Sequence, residues 1–346
     1  LRRVKILALQ LKRIGDVILT APALAALHQA MPEARITLAV NATCAPLLEA
    51  IPAINAGIVF GPGRGWAPWQ QALTGGFDAV LDFTGTDRSA AACALSRAPV
   101  RATFEWVKKS RLRALAYHRF IDSPVRDFHT ADHYIHLLRA LGLEADELPT
   151  SGTLALPESA RSEAALACPP GAFAVLHPGS ARPEKYWLSE RWTEVAAHLH
   201  RTHGLALVLT GGRDAFEQQH LAAIRTALPR AIPVTDLSGQ LSLGAFAATL
   251  DRARLVVSCD TAAVHFAAAF RRPQIALFGP TNPFHWRPRH EHALVLSAAH
   301  LGSPLADFSP KMKGAPMEAI STALVIHATE SLLSAASSQS SSSSSP

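Results

Sequence analysis

The chain has 346 residues, of which 49% are apolar and 17% charged, with a formal net charge of +6 and a sequence pI near 9.4. That length exceeds what one hydrophobic core usually serves and predicts two domains, while the composition excludes a disordered protein. The positive balance favours anionic partners, but with no zinc-finger spacing and no RNP aromatic signature, nucleic acid is not an expected one.

In chain order, a β-rich run at 4–10 precedes a helical pattern at 17–29. Strands at 35–40 and 79–83 precede helical patterns at 43–50 and 88–95. Such alternation marks βαβ units around a parallel sheet. Lys12, Arg13 and Asp16 interrupt the first apolar run, which therefore reads as a strand rather than a signal peptide. No run approaches the about 18 apolar residues of a membrane span, so any membrane contact is expected to be peripheral. Residues 101–119 are basic, with Arg101, Lys108, Lys109, Arg111, Arg113 and Arg119 against Glu105 alone, and a helix is expected at 132–141. The linker is expected within 142–171, rich in Pro, Ser, Glu and Ala.

A second series follows, with strands at 173–177 and 205–210 leading into helices at 189–203 and 216–228. Strands at 255–258 and 274–278 flank a helix at 261–270. Two doubly wound α/β domains in tandem, 1–160 and 161–333, are the simplest account, with a disordered serine-rich tail at 334–346. Cys44, Cys93, Cys168 and Cys259 show neither metal-ligand pairs nor a disulfide framework, which suits a reducing, cytoplasmic compartment.

Ligands in doubly wound sheets sit beyond the carboxyl ends of the strands, so the strand-to-helix loops carry the chemistry. In the first, Gly15 allows close backbone approach to a ligand, and Asp16 is open to two readings, a helix N-cap or a carboxylate facing substrate. The loop lacks a Gly-x-Gly-x-x-Gly fingerprint, which argues against an NAD enzyme. In the loop after 173–177, Ser180 and Lys185 suit a phosphate, although Lys185 alone reads equally as a solvated lysine. Trp187 and Trp192 read as core. In the third loop, Asp260, Thr261, Ala262, Ala263, Val264 and His265 lead into a helix whose small first residues leave amides open to a diphosphate. His265 faces that anion or is a satisfied core residue. Asp214 and Glu217 are candidates for ribose hydroxyls, with helix capping an equal reading of Asp214. No Asp-x-Asp occurs and the 16 histidines form no His-Glu-x-x-His or comparable spacing, so metal-independent chemistry with no cofactor is expected.

Together these motifs resemble the ADP-heptose:lipopolysaccharide heptosyltransferases, glycosyltransferase family 9. The resemblance rests on Arg13-Ile14-Gly15-Asp16-Val17-Ile18-Leu19-Thr20, on His177-Pro178-Gly179-Ser180 with Lys185 and Trp187, and on Asp236-Leu237-Ser238-Gly239. It continues through Val257 to His265 and Ala276-Leu277-Phe278-Gly279-Pro280-Thr281. The runs beginning at Asp82-Phe83-Thr84 and Asp132-His133-Tyr134 look closest to the heptosyltransferase III branch. Two departures stand out: Ala262-Ala263-Val264 replaces Gly-Pro-Met, and Ala315-Pro316-Met317 replaces Pro-Cys-Met.

The resemblance implies a GT-B fold, two Rossmann-like domains facing across a cleft, with the acceptor on the N-terminal side and the nucleotide sugar on the C-terminal side. It also implies a helix at 320–333 packed back on the first domain, and inverting transfer from ADP-L-glycero-D-manno-heptose to the lipopolysaccharide inner core. Asp16 matches the general base, Ser180 and Lys185 the diphosphate contacts, and 260–265 the nucleotide-sugar clamp. The basic segment, with Arg101, Lys108, Arg111 and Arg113, is the candidate for the acceptor's phosphates, or a solvated positive surface. The expected setting is cytoplasmic, with peripheral contact at the inner membrane. A transferase using another nucleotide sugar, a sugar-nucleotide epimerase of related fold and a non-catalytic binding protein are the competing readings.

Overall fold

The computed structural model describes residues 3–144, 153–300 and 308–342, with side chains as far as 334. The chain divides into two units, Leu1–Ala155 and Leu156–Pro346. In the first, β1 (Lys5–Gln10), β2 (Arg35–Asn41), β3 (Ala56–Phe60), β4 (Ala79–Asp82), β5 (Val100–Phe104) and β6 (Arg119–Ile121) form one sheet in the order β3-β2-β1-β4-β5-β6. In the second, β7 (Phe173–His177), β8 (Ala206–Leu209), β9 (Val234–Asp236), β10 (Leu255–Cys259), β11 (Gln274–Phe278) and β12 (Ala293–Ser297) are ordered β12-β11-β10-β7-β8-β9. Every pairing is parallel. Both sheets have the doubly wound order in which the winding reverses next to the unit's first strand.

The central strands read as unbroken apolar runs because both faces of a parallel sheet are covered. Ile6, Leu7, Ala8 and Leu9 are all fully buried, as are Leu255, Val256 and Val257. Trp187 and Trp192 pack edge to face with centroids 5.4 Å apart inside the second unit's core, as their core reading expects. Trp187 Nε1 donates to the Ile320 carbonyl at 2.9 Å, tying the start of the helix Ser189–His203 to the chain's last segment.

Two expectations change. The unit boundary falls at 155/156 rather than 160/161, because the helix Glu158–Ala167 packs on Leu243–Arg252 of the second unit. The final helix, Thr322–Ser342, buries Val325, Ala328, Leu332 and Leu333 in the second unit's own core. It also continues through nine residues of the serine-rich stretch to Ser342, since serine costs an established helix only a few tenths of a kcal/mol per residue relative to alanine. Residues 343–346 of the expected disordered tail lie outside the described residues.

His177 closes β7 with its Nδ1 2.9 Å from Thr210 Oγ1, and burial pushes its pKa down to about 4. The unfolded chain then binds a proton that the folded chain refuses between about pH 6.5 and 4, so stability is lost as pH falls through that window. The expected loss is roughly 3 kcal/mol from this group. Denaturant unfolding across the window should show a shallower acid loss in His177→Asn than in the wild type; parallel curves would remove the histidine from the account.

Candidate active site

β1 runs into the helix Ile14–Ala30 through a three-residue loop fixed from several sides. Leu11 N donates to Thr84 Oγ1 at 2.8 Å, and Asn41 Nδ2 donates to the carbonyls of Leu11 and Lys12. Thr84 itself follows β4, whose Asp82 is fully buried and accepts from Thr84 N at 2.8 Å, Gly85 N at 3.1 Å and the Tyr117 hydroxyl at 2.5 Å. Thus the two loops that diverge at the winding reversal of the first sheet are joined by side chains.

Asp16 is the third residue of its helix, and the capping position belongs to Arg13. Its carboxylate still reaches back to the terminus, Oδ2 accepting from Arg13 N at 3.4 Å, a long bond. Oδ1 accepts from the Tyr134 hydroxyl at 2.8 Å. Tyr134, on the helix Thr130–Ile135, is 1% exposed, and burial followed by the nearby Asp16 charge raises its pKa well above 10, so it remains a donor. Beneath them Gln10 Nε2 donates to Thr20 Oγ1, and Thr20 donates to the Asp16 carbonyl, both at 2.8 Å. One carboxylate oxygen is therefore held firmly and the other loosely, on a half-buried side chain. Gly15, beside it, is the second helical residue.

In the second unit the equivalent reversal lies between β7 and β10. Lys185 bridges it: Nζ donates to Asp260 Oδ2 at 2.6 Å and to the Asp260 carbonyl at 3.2 Å. Its side chain is 12% exposed and that of Asp260 8%, which rules out the solvated-lysine reading. An ammonium has three donors, so one remains for a ligand. Ser180 is buried and its Oγ accepts from Arg182 N at 3.2 Å. Thr261 caps the helix Ala262–Ala269, its Oγ1 accepting from Ala263 N at 3.2 Å. Ala263 and Val264 are fully buried, Val264 in an apolar cluster with Phe278 and Phe308, so those two can offer only backbone to an anion. His265 is buried at 7% exposure.

Glu217 lies under the loops after β7 and β8. Its Oε1 accepts from Gly212 N at 2.6 Å, and burial raises its pKa. A Cβ at Gly179 would fall 1.8 Å from that oxygen, which explains the glycine before Ser180. Asp214 is the N-cap of Ala215–Ala227, accepting from Phe216 N at 3.0 Å, so the capping reading holds for it.

The basic segment is mostly engaged within its own unit. Arg101 Nε donates to the Ala116 carbonyl at 2.7 Å and Nη1 to that of Ala98 at 3.1 Å. Lys108 pairs with Glu105 at 2.6 Å, and Arg113 with Asp87 at 2.5 Å. Lys109 and Arg111 are exposed and make no side-chain hydrogen bond or ion pair among the described residues. Of the four proposed acceptor cations, only Arg111 is thus uncommitted. Sequence reasoning assigned no role to Tyr134, Gln10, Thr20 or Thr84; Tyr134 lies 118 residues from Asp16, and no local spacing links them.

The chain is 25% identical over 300 residues to lipopolysaccharide heptosyltransferase 3 of Escherichia coli K12, covering 83% of this chain and 86% of that one. A glycosyl transferase family 9 structure from Veillonella parvula superposes with a TM-score of 0.79 at 25% identity, covering 95% and 97% of the two chains. The E. coli heptosyltransferase WaaC, solved with ADP-2-deoxy-2-fluoro heptose, shares the fold at a TM-score of 0.70 and 23% identity, covering 95% and 99%. Residues 66–312 match the model for glycosyltransferase family 9 (heptosyltransferase), and the chain belongs to that family.

Proposed function

We propose that this glycosyltransferase moves heptose from ADP-L-glycero-D-manno-heptose to the lipopolysaccharide inner core, inverting the anomeric centre without a metal. The observation that carries the reading is the pair of polar arrangements at the two winding reversals: a carboxylate with one loosely held oxygen, and a buried cation with one donor left over. The donor and acceptor named for its relatives supply the substrate class.

In this mechanism the acceptor hydroxyl gives its proton to Asp16, through Oδ2 rather than the Tyr134-bound Oδ1, as its oxygen attacks the anomeric carbon. The bond from that carbon to the ADP oxygen breaks, and the electron pair leaves with the diphosphate. Lys185, His265 and the first amides of Ala262–Ala269 meet the departing charge. Ser180 binds the same diphosphate, and Glu217 lies near enough to its loop to order the ribose side. Tyr134 positions the base.

The acceptor is an amphiphile. Leu112 and Leu115, three apart and each 79% exposed, stand beside the uncommitted Lys109 and Arg111 and suit an anionic lipid surface. Peripheral membrane contact in this reading runs through that corner, at the cytoplasmic face.

Asp16→Asn should lower kcat about a hundredfold or more while leaving ADP affinity unchanged, as calorimetry and single-turnover kinetics would report; near-normal turnover would return Asp16 to a helix-terminal role alone. Tyr134→Phe should fall between that variant and the wild type. Lys185→Met leaves Asp260 charged and buried and should destabilise the fold by roughly 3–5 kcal/mol. Adding Asp260→Asn should restore much of that stability but none of the ADP affinity, which separates folding from binding. Leu112→Glu with Leu115→Glu should weaken sedimentation with phosphatidylglycerol vesicles at least about tenfold, the scale of losing buried leucine side chains; equal sedimentation would move the membrane contact elsewhere.

A further inference from the structure

His198 and His203, near the end of the helix Ser189–His203, meet Glu330 of the final helix. His198 Nε2 lies 2.6 Å and His203 Nε2 2.8 Å from the same Oε1 of Glu330. The ligand atoms of all three lie within 4.8 Å of one another. Because helices in a doubly wound unit run antiparallel to their strands, the end of Ser189–His203 lies at the amino edge of the sheet, away from the β7 and β10 loops.

We propose that His198, His203 and Glu330 form a zinc site that clips the final helix to the second unit. The donor set is two imidazoles and one carboxylate, a composition that suits Zn²⁺ and leaves a fourth position for water. The three side chains are 23%, 20% and 38% exposed, so an ion can reach them, yet they are partly sheltered. On binding, the carboxylate withdraws from its two direct contacts by the width of the ion. Each imidazole then offers its Nε2 lone pair with the proton on Nδ1. For His198 that proton points towards Thr202 Oγ1, 3.5 Å away, the kind of outer partner that fixes a ligand ring.

The site's place in the fold gives the ion a structural task. At its start, the final segment is held by the Ile320 carbonyl, which accepts from Trp187 Nε1, while Arg191 donates to the carbonyls of Glu318 and Ile320. The histidine cluster holds the same two helices together farther along. Between the two, Val325 and Ala328 are fully buried. The absence of metal spacing in the sequence does not reach this set, because the histidines are five apart and Glu330 lies 127 residues beyond the nearer one.

The test uses untagged full-length protein stripped with chelator and titrated with ZnCl₂ by calorimetry, with thermal unfolding in parallel. We expect about one ion per chain and a Tm that rises with zinc concentration. His198→Gln with His203→Gln should bind at least about tenfold more weakly and lose the Tm response. His290→Asn with His292→Asn, at another neighbouring histidine pair, should keep both. Should the double glutamine variant lower the Tm of the stripped protein, Glu330→Gln, which keeps an acceptor oxygen without the charge, provides the same comparison. An isotherm without a stoichiometric event, or one unchanged in the His198/His203 variant, would overturn the site.

Discussion

At β1 and β4, and again at β7 and β10, neighbouring parallel strands send their following helices to opposite faces of the sheet. The loops leaving those strands must diverge, and their backbone groups lose the partners that a ladder would have given them. Side chains supply the replacements: Thr84 accepts from Leu11, Asp82 accepts from Thr84 and Gly85, and Lys185 donates to the carbonyl of Asp260. The crevice geometry that admits a ligand and the hydrogen bonds that keep it from collapsing are consequences of one topological constraint. Asp16 stands at the first of these points, and Lys185 and Asp260 at the second.

Burial then decides what each group can do. A phenol packed at 1% exposure beside a carboxylate is held neutral and must donate, which leaves the two oxygens of Asp16 unequal. A lysine drawn under the β10 loop is held by a carboxylate and a carbonyl, and this fixes its third donor in space far better than a solvated side chain could. The exposed cations of the basic segment behave differently. Arg101, Lys108 and Arg113 have partners within their own unit, and what remains for a ligand is Lys109 and Arg111, just before two exposed leucines.

The inner strands were legible in the sequence because burial on both faces writes them as unbroken apolar runs; β1, β2, β4, β7, β8, β10 and β11 were all anticipated. The strands that went unread are β3, β6, β9 and β12, at the sheet edges, and the neighbouring β5. β6 and β9 have three residues each, part exposed, and a run that short carries no periodicity. The anion-suited loops were legible because glycine, serine, lysine and small helix starters are local signals. Tyr134 and the histidine cluster were not, since each depends on contacts spanning more than a hundred residues. The final helix was legible as a buried face from its apolar positions, which do not say which core receives it.

The replacement of Gly-Pro by Ala262-Ala263 can be judged from the backbone. Thr261 has extended φ and ψ of −144° and −174°, and the helix begins at Ala262, so neither alanine adopts the left-handed conformation that would require glycine. In an interior helical position alanine is favoured over glycine by about 1 kcal/mol. At Ala262 the exchange of glycine for alanine narrows the backbone's freedom and adds a part-exposed methyl, while at Ala263 a fully buried methyl stands in proline's place and brings an N–H that proline lacks. The amide of Ala263 is occupied by Thr261 Oγ1, which leaves the amides of Ala262 and Val264, the helix dipole and the third donor of Lys185 as positive groups at this turn. A turn built on two alanines trades proline's fixed φ for an N–H that Thr261 holds, and keeps the charge of the helix terminus.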